Sequence, residues 1–406
     1  MTDTDTAGTA DDTAGTADTG PSEEELRRRR RAAWRASGRT LWRQSTDRPM
    51  AELLAGLTAD AAGAYDLAEP PDWYGDGVVG ELERRVAGLL GFPAAVFFPT
   101  GTMAQQVALR CWAGRTGNGT VALHPLAHPE LHERGAFGGV SGLRTVHPTR
   151  EHRLPTAAEV SGFEEPFGAL MLELPLRDAG FVLPSWDELV AVTAAARERD
   201  AVVHFDGARI WECVTHFDRP LDEIAGLADS VYVSFYKSLG GLAGAALVGP
   251  EEVMAEARAW RHRYGGTLFH QFPTALSALV GLERELPRLP SYVARAKEVA
   301  GALADGFRAA GVPWFRLTPE TPHTHQFLVW LPYPAEALMA ASLSQAEETG
   351  TTLFRYWSEG TLVPGVSSTE VTVSSEALEW TPEEMGEAVV EFVRRVAAET
   401  AAGAAG

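Results

Sequence analysis

Short apolar runs alternate with helix-like stretches through the middle of this chain, and this alternation constrains the fold more than any other feature. The runs at 94–98, 169–172, 201–205, 230–235 and 245–248 are typical of buried strands. Helical periodicity predicts helices at 78–90, 103–112, 186–199 and 251–263. Strands that alternate with helices in this way predict a mainly parallel sheet covered by helices, which is an α/β fold.

The chain has 406 residues, too many for one compact core, and we expect two domains. The predicted segments are a disordered tail at 1–21, a segment at 22–72 that packs with the small domain, a large domain at 73–290 and a smaller α+β domain at 291–400. The tail has too few apolar residues to offset the entropy of ordering. Ser22 and Glu25 have capping-box spacing, so the first helix should start there.

The smaller domain is predicted from a change of pattern after about residue 290. A long helix at 291–310 precedes strand-like runs at 314–317, 326–330 and 370–374, and a last helix covers 382–399.

Composition narrows the possible partners and compartments. The formal net charge of −20 disfavours nucleic acid and anionic membranes. Two isolated cysteines, Cys111 and Cys213, are typical of buried residues in a reducing compartment, and neither has metal-ligand spacing, so we predict no metal site. No apolar run approaches the roughly 20 residues of a membrane span, and the start of the chain lacks the apolar core of a signal peptide. We therefore expect a cytoplasmic protein.

Three segments carry the chemistry. The segment 204–209 (His-Phe-Asp-Gly-Ala-Arg) puts Asp206 at the end of a predicted strand, where ligands bind in open α/β sheets. Lys237 follows another apolar run and precedes a Gly-Gly pair, and partial burial there would lower the pKa of its amine enough for reaction. Gly101 and Thr102 stand between a predicted strand and helix, where free amides and a hydroxyl bind phosphate.

Each of these segments alone has a simpler explanation, as a helix cap, a surface charge or a turn. Together they supply an amine, a carboxylate for a pyridine nitrogen and a phosphate cup, which are what pyridoxal phosphate (PLP) requires. The carboxylate keeps the ring nitrogen protonated, so that the ring accepts electrons.

The same segments resemble those of the threonine aldolase family, in the beta-eliminating lyase superfamily of fold type I PLP-dependent enzymes. The resemblance extends from residue 74 to 266 and more weakly to the C-terminus. Six segments are similar to segments of that family. They are 74–76 (YGDD-type), 98–105 (PTGTxAN), 127–128 (Ala-His), 204–209 (HxDGAR), 237–240 (SKGLG) and 260–266 (WR…GG). The resemblance implies an aspartate-aminotransferase-like fold, with a mainly parallel seven-stranded sheet in the large domain and a smaller α+β domain.

The resemblance also implies roles for single residues. Lys237 would hold PLP through a Schiff base, Asp206 would face the pyridine nitrogen and His128, rather than its neighbour His124, would lie over the ring. Gly101, Thr102 and Ser234 would bind the phosphate.

On the substrate side, Arg209 would bind the substrate carboxylate or hold Asp206. Tyr74 would line the site from a neighbouring subunit, because such sites form at the interface of a homodimer or homotetramer.

Two departures from the family pattern bear on the reaction. The family's Glu-Asn-Thr-His segment is Glu-Leu-Pro-Leu at 173–176, so the histidine is missing, and Arg177 follows. Glu370 stands where the family has an arginine for the substrate carboxylate. Either Arg177 has taken over that carboxylate, or the substrate is not a standard β-hydroxy-α-amino acid.

The leading prediction is retro-aldol cleavage of a threonine-like amino acid to glycine and an aldehyde, with Lys237, Asp206 and His128 as catalytic residues and His128 as the base. Another PLP reaction, such as β-elimination, racemisation or aldol transfer, is the alternative. A non-catalytic binding protein is disfavoured because the lysine and aspartate are both present. A nucleotide-binding fold is disfavoured because the sequence has neither a G-x-G-x-x-G segment after its first strand nor a P-loop.

Overall fold

A computed structural model describes residues 22–360 and 364–405 of the chain, with side chains to residue 401. The helices are α1 (Glu23–Ala36), α2 (Met50–Ala61), α3 (Val78–Leu89), α4 (Gly101–Thr116), α5 (His128–His132), α6 (Ala157–Gly162), α7 (Trp186–Arg197), α8 (Val214–Phe217), α9 (Leu221–Ala225), α10 (Glu251–Arg263), α11 (Phe272–Arg284), α12 (Leu289–Ala309), α13 (Ala335–Thr349) and α14 (Pro382–Ala405). The strands are β1 (Arg39–Thr40), β2 (Ala94–Phe98), β3 (Thr120–Ala122), β4 (Arg144–Val146), β5 (Ala169–Glu173), β6 (Val202–Gly207), β7 (Ser230–Ser234), β8 (Ala245–Gly249), β9 (Arg316–Thr318), β10 (Gln326–Leu331), β11 (Thr351–Thr352), β12 (Ser358–Glu359) and β13 (Ser367–Thr372).

A seven-stranded sheet forms the centre of the molecule, in the order β2-β8-β7-β6-β5-β3-β4. Strand β8 is antiparallel to both of its neighbours, and all other adjacent strands are parallel. Helices cover both faces of the sheet, so the strands are buried throughout and their sequences are continuous apolar runs rather than alternating ones. The predicted α/β fold with a mainly parallel seven-stranded sheet is confirmed.

The strand register sets three polar residues side by side near the carboxyl ends of the parallel strands. Glu173 on β5 pairs with Asp206 on β6, and Asp206 pairs with Tyr232 on β7. One pleat earlier, His204 is hydrogen-bonded to Ser230 Oγ and to Gln105 Oε1 of α4 at 2.8 and 2.7 Å. Burial lowers the pKa of His204 to about 3, so it is a neutral residue that fixes α4 on the sheet.

A second core lies around the four-stranded antiparallel sheet β12-β13-β10-β9, packed by α12, α13 and α14. Strand β1 pairs with β11, which joins the first described segment to this part of the chain. Helix α12 belongs to both cores, because Leu289 and Tyr292 pack in the larger one and Val299 and Leu303 in the smaller. The predicted boundary at 290/291 therefore falls inside a continuous helix, and the division into domains stays a prediction.

Several elements differ from the sequence prediction. Helix α4 begins at Gly101 rather than at residue 103, because the Thr100 side chain caps it by accepting a hydrogen bond from the Met103 amide. Strands β3 and β4 and helices α2 and α11 were not predicted. The predicted capping box at Ser22 and Glu25 is present, and the tail predicted at 1–21 lies outside the described residues. Within the described ranges, every helix is too short or too polar to cross a membrane.

Candidate active site

Lys237 lies just after β7, in a turn followed by a glycine pair. Gly240 has a positive φ of 68°, and a Cβ on Gly241 would come within 2.9 Å of the Phe235 carbonyl oxygen, so this turn requires both glycines. Burial lowers the pKa of Lys237 to about 8, and the nearby Arg209 and Arg177 contribute in the same direction. The amine is therefore partly neutral near physiological pH, as a nucleophilic lysine must be.

Asp206 is buried at the end of β6, and its Oδ1 accepts a hydrogen bond of 3.1 Å from the Ala208 amide. Burial raises the pKa of Asp206, and the Glu133 carboxylate adds to this, whereas Arg209 and Lys237 lower it. Asp206 and Lys237 are thus close enough to shift each other's pKa. Their predicted roles, as partner of the ring nitrogen and as Schiff-base lysine, stay predictions.

Glu173 is a second buried acid beside Asp206. Its two oxygens accept hydrogen bonds from the His128 and Arg177 amides at 2.7 and 3.1 Å, so it holds the start of α5 and the turn after β5. Burial raises the pKa of Glu173 strongly, and the neighbouring Asp206 carboxylate raises it further. Burial and repulsion between the two carboxylates therefore both oppose ionisation of the pair.

Gly101 and Ser234, two of the residues predicted to bind the phosphate, are both buried. A Cβ on residue 101 would come within 2.0 Å of the Tyr232 hydroxyl oxygen, so only glycine fits at the start of α4. Thr102 is exposed at the same helix start. The Ser234 hydroxyl, and that of Ser238, are buried without a hydrogen-bond partner among the described residues. Buried hydroxyls of this kind are available to an anionic ligand.

His128 begins α5, and its Nδ1 lies 3.3 Å from Oε1 of the buried Glu133. Its alternative, His124, is buried, with its Nε2 at 2.6 Å from the Glu151 carbonyl oxygen and its Nδ1 accepting from the Leu126 amide. Both nitrogens of His124 are therefore used in holding the local chain. Of the two histidines, His128 is the half-exposed one with a carboxylate partner.

The two residues that depart from the family pattern contact each other. Arg177 forms an ion pair with Glu370, and its Nη1 lies 3.5 Å from both Asp178 oxygens. Glu370 therefore has a cationic partner, which offsets the cost of an acid in a substrate site.

Arg209 and Tyr74 have different surroundings. Arg209 is 9% exposed, its guanidinium lies 5.3 Å from the centre of the Phe181 ring, and its Nε is buried without a hydrogen-bond partner in the described part of the chain. Tyr74 is 53% exposed and packs edge-on against Phe269, with ring centres 5.4 Å apart. Arg209 lines the central cavity and Tyr74 does not.

That cavity has a volume of about 840 Å³ and lies between the large sheet, the small domain and the first described segment. Lys237, Arg209, Arg177 and Glu370 line it, together with His132. A cavity that contains a lysine of lowered pKa and several convergent charges is a strong candidate for an active site.

Sequence reasoning missed four residues that line or influence this site: Glu173, Glu133, Tyr232 and His132. Tyr232 had a signal, because it is the only aromatic residue in an otherwise small or aliphatic strand. Glu173 had a weaker signal as an acid at the end of an apolar run. Glu133 had no signal in the sequence, because only the direction in which α5 runs in the fold brings it near Asp206.

Solved structures define the class of protein. The chain is similar to a putative aromatic amino acid beta-eliminating lyase/threonine aldolase from Exiguobacterium sp. 255-15, with a TM-score of 0.81 and 33% identity over 90% of this chain and 99% of that one. The chain is also similar to a putative L-allo-threonine aldolase from Listeria monocytogenes, with a TM-score of 0.81 and 32% identity over 91% of this chain and 99% of that one. A serine palmitoyltransferase from Sphingomonas wittichii, 15% identical with a TM-score of 0.58 over 85% and 84%, shares the fold. The fold is that of the fold type I PLP-dependent enzymes.

The beta-eliminating lyase family model matches residues 71–313, and this chain belongs to that family. Among curated proteins it is 30% identical to the low specificity L-threonine aldolase of Escherichia coli, over 66% of this chain and 79% of that protein. It is 29% identical to aldolase vrtJ of Penicillium aethiopicum and 28% identical to the Saccharomyces cerevisiae low specificity L-threonine aldolase, over 62% and 59% of this chain. These two alignments span slightly under two thirds of the relatives' own length, 66% and 64%.

Family and fold confirm the prediction of a PLP-dependent lyase. The residues present fit that cofactor: a buried lysine of lowered pKa, a buried acid on the adjacent strand end and a buried serine hydroxyl that no described residue meets with a hydrogen bond.

Proposed function

We propose that this chain cleaves the Cα–Cβ bond of a β-hydroxy-α-amino acid of the threonine type, giving glycine and an aldehyde. The observation that carries the proposal is the lysine whose pKa is lowered to about 8 beside the buried Asp206 carboxylate. The names of the curated relatives, L-threonine aldolases in several organisms, support the reaction class.

In this proposal Lys237 holds PLP covalently, Asp206 pairs with the pyridine nitrogen and His128 lies over the ring. Gly101, Thr102 and Ser234 hold the phosphate, which the unpartnered Ser234 hydroxyl supports. Bound PLP takes up the electron pair that bond cleavage leaves on the substrate. Glu173 holds the His128 amide, which keeps that side chain in place.

We propose Arg209 as the main contact of the substrate carboxylate. Its buried Nε has no protein partner in the described residues, so a carboxylate would satisfy it. Arg177 is already held by Glu370 and Asp178, and its role is then to neutralise these acids and to form one wall of the site. Arg209→Lys should therefore raise KM more than Arg177→Lys does.

A homodimer or homotetramer with Tyr74 at the interface is part of the proposal. The support is a group of exposed aromatic side chains: Trp73 is 67%, Tyr74 53% and Phe269 56% exposed. Exposed apolar groups of this size commonly mark interfaces. We expect Phe269→Asp to reduce the molar mass measured by light scattering to that of one chain and to lower activity, whereas Arg308→Asp on the far surface should change neither.

A second candidate keeps PLP and changes the bond that is broken. The Arg177–Glu370 pair favours this second candidate. Family aldolases have a histidine near the place of Arg177 and an arginine near the place of Glu370, so this chain has a negative charge where the family has a positive one. β-Elimination, racemisation and aldol transfer would all use the same lysine and aspartate.

The test is product analysis with L-threonine, L-allo-threonine and L-phenylserine, with Lys237→Ala as the control. Glycine and the matching aldehyde from the wild type, and neither from the variant, is the expected result. A 2-oxo acid with ammonia, or the opposite enantiomer, in place of glycine would identify the second candidate instead.

A further inference from the structure

His132 is a histidine of the cavity wall that sequence reasoning did not single out. It is the last residue of α5, and its side chain lines the cavity together with Lys237, Arg177 and Arg209. The centres of the His132 and His128 rings are 5.1 Å apart. His132 therefore lies beside the residue that would stack on the cofactor.

Asp178 orients this imidazole. Its Oδ2 lies 3.0 Å from His132 Nε2, and Arg177 Nη1 lies 3.3 Å from the same nitrogen. One nitrogen cannot donate to the acid and accept from the guanidinium at once. Since Arg177 also reaches both Asp178 oxygens, the carboxylate is the shared acceptor. His132 then carries its hydrogen on Nε2, and Nδ1 is left with a free lone pair.

The other groups near the substrate are less suited to accept a proton. The residues in place of the family's Asn-Thr-His are Leu174, Pro175 and Leu176, none of which has a basic side chain. His128 has its Nδ1 engaged with Glu133, and in the proposed function its ring lies against the cofactor. Lys237, Arg209 and Arg177 are donors. His132 combines a free nitrogen, an orienting carboxylate and a place on the cavity wall.

We propose that His132 is the base that takes the proton of the substrate's β-hydroxyl group, and that Asp178 is its positioning residue. The hydroxyl proton moves to His132 Nδ1, and the electron pair of the O–H bond becomes the second C–O bond of the aldehyde. The Cα–Cβ bond breaks, and its electron pair stays with the amino acid fragment. That fragment takes up a proton from water at Cα to become glycine, and His132 releases the hydroxyl proton to water, which regenerates the base. This inference rests on the proposed retro-aldol function.

The experiment compares two reactions of one enzyme. Cleavage of L-threonine or L-allo-threonine needs a base for the β-hydroxyl group, whereas exchange of the glycine α-proton in D₂O, followed by NMR, does not. In the PLP-loaded enzyme we expect His132→Asn to lower kcat for cleavage by about 10²–10⁴-fold with KM changed by less than about threefold. Glycine exchange and the visible absorbance of bound PLP should stay within about twofold of the wild type. His152→Asn, a change at an exposed histidine outside the cavity, should alter neither reaction.

Asp178 is tested by its effect on the rate. Its carboxylate is the acceptor that fixes the His132 imidazole, which also lies near Arg177 and His128. Asp178→Asn weakens this acceptor, so kcat should fall by about tenfold or more while KM changes by less than about threefold. Asp178→Glu should restore most of the rate.

The outcomes separate the two proposals. Unchanged cleavage by His132→Asn overturns the base assignment and leaves the lyase intact. Parallel loss of cleavage and glycine exchange, with thermal stability retained, also overturns it, because His132 would then act in binding or positioning. A wild type that exchanges glycine but cleaves no β-hydroxy amino acid refutes the proposed function and, with it, the base.

Discussion

Lys237 has to be neutral before it can attack an aldehyde, and its surroundings decide at which pH that happens. Burial is the main cause of its lowered pKa, followed by the positive charges of Arg209 and Arg177. Asp206 and Glu370 act in the opposite direction. The site thus balances two cations against two acids around one amine.

This balance predicts the pH dependence of cofactor attachment. In cofactor-free protein, the rate at which added PLP attaches to Lys237 should rise through pH 8 and level off above it, because the neutral amine is the reactive form. Arg209→Gln removes a repelling charge, so the midpoint should move to higher pH. Stopped-flow absorbance measures both, with Arg308→Gln as the control. A wild-type rate that still rises at pH 10 would show that the pKa of Lys237 is not lowered.

Among single residues, the sequence identified those that lie directly after a predicted strand. Lys237 and Asp206 each follow an apolar run, and their roles were derived from that placement. The contacts of Asp206 with Glu173 and Tyr232 depend on the register of three strands far apart in the chain, which local pattern does not contain. The pairing of Arg177 with Glu370 joins the turn after β5 to β13 and was beyond sequence reasoning for the same reason.

Helix α4 shows how one element is fitted to its site. Its N-terminus starts against Tyr232 at Gly101, while His204 and Gln105 fix its first turns to the sheet. Its start was predicted two residues late because Thr100 looked like part of a turn rather than a cap. Strands β3 and β4, at three residues each, were too short to show a period.

Two glycines of α4 make a matched pair for stability. Gly101→Ala should destabilise the fold by about 1–3 kcal/mol, because the new Cβ would overlap the Tyr232 ring. Gly114→Ala should stabilise it by about 0.5–1 kcal/mol, because nothing lies within 4 Å of its Cβ position. Urea unfolding of both variants is the measurement. Equal effects in the two variants would mean that Tyr232 does not restrict the helix start. Gly101→Ala should also weaken PLP binding, and Gly114→Ala should not.

At the scale of the whole molecule, histidines join the two cores. His325, which directly precedes β10, pairs with the buried Glu212, and its Nδ1 lies 2.7 Å from the Val373 carbonyl oxygen. His323, in the loop before β10, lies against His216 of α8 with ring centres 4.2 Å apart, and its Nδ1 accepts from the Leu183 amide. These contacts hold the small domain on the sheet that carries Asp206.

The His323 contact predicts acid sensitivity. Burial lowers the pKa of His323 from 6.5 to about 4, and His216 and Lys297 contribute. Between pH 6.5 and 4, His323 therefore binds a proton in the unfolded chain but not in the folded one. Its contribution to the free energy of unfolding is complete above pH 6.5 and is lost as the pH falls toward 4. In His323→Gln, the free energy of unfolding should fall by about 1–3 kcal/mol less over this pH range than in the wild type. This range is reduced for the partial exposure of His323 to solvent. Urea unfolding at pH 7 and pH 4.5 tests this, with His262→Gln as the control.

The cavity of about 840 Å³ has to hold PLP as well as the amino acid. Pockets for drug-sized ligands occupy roughly 300–1,000 Å³, so this volume suits the two together. Aldol cleavage, the proposed reaction, is reversible. Supplied with excess glycine and an aldehyde, the enzyme should therefore also join the two into a β-hydroxy amino acid.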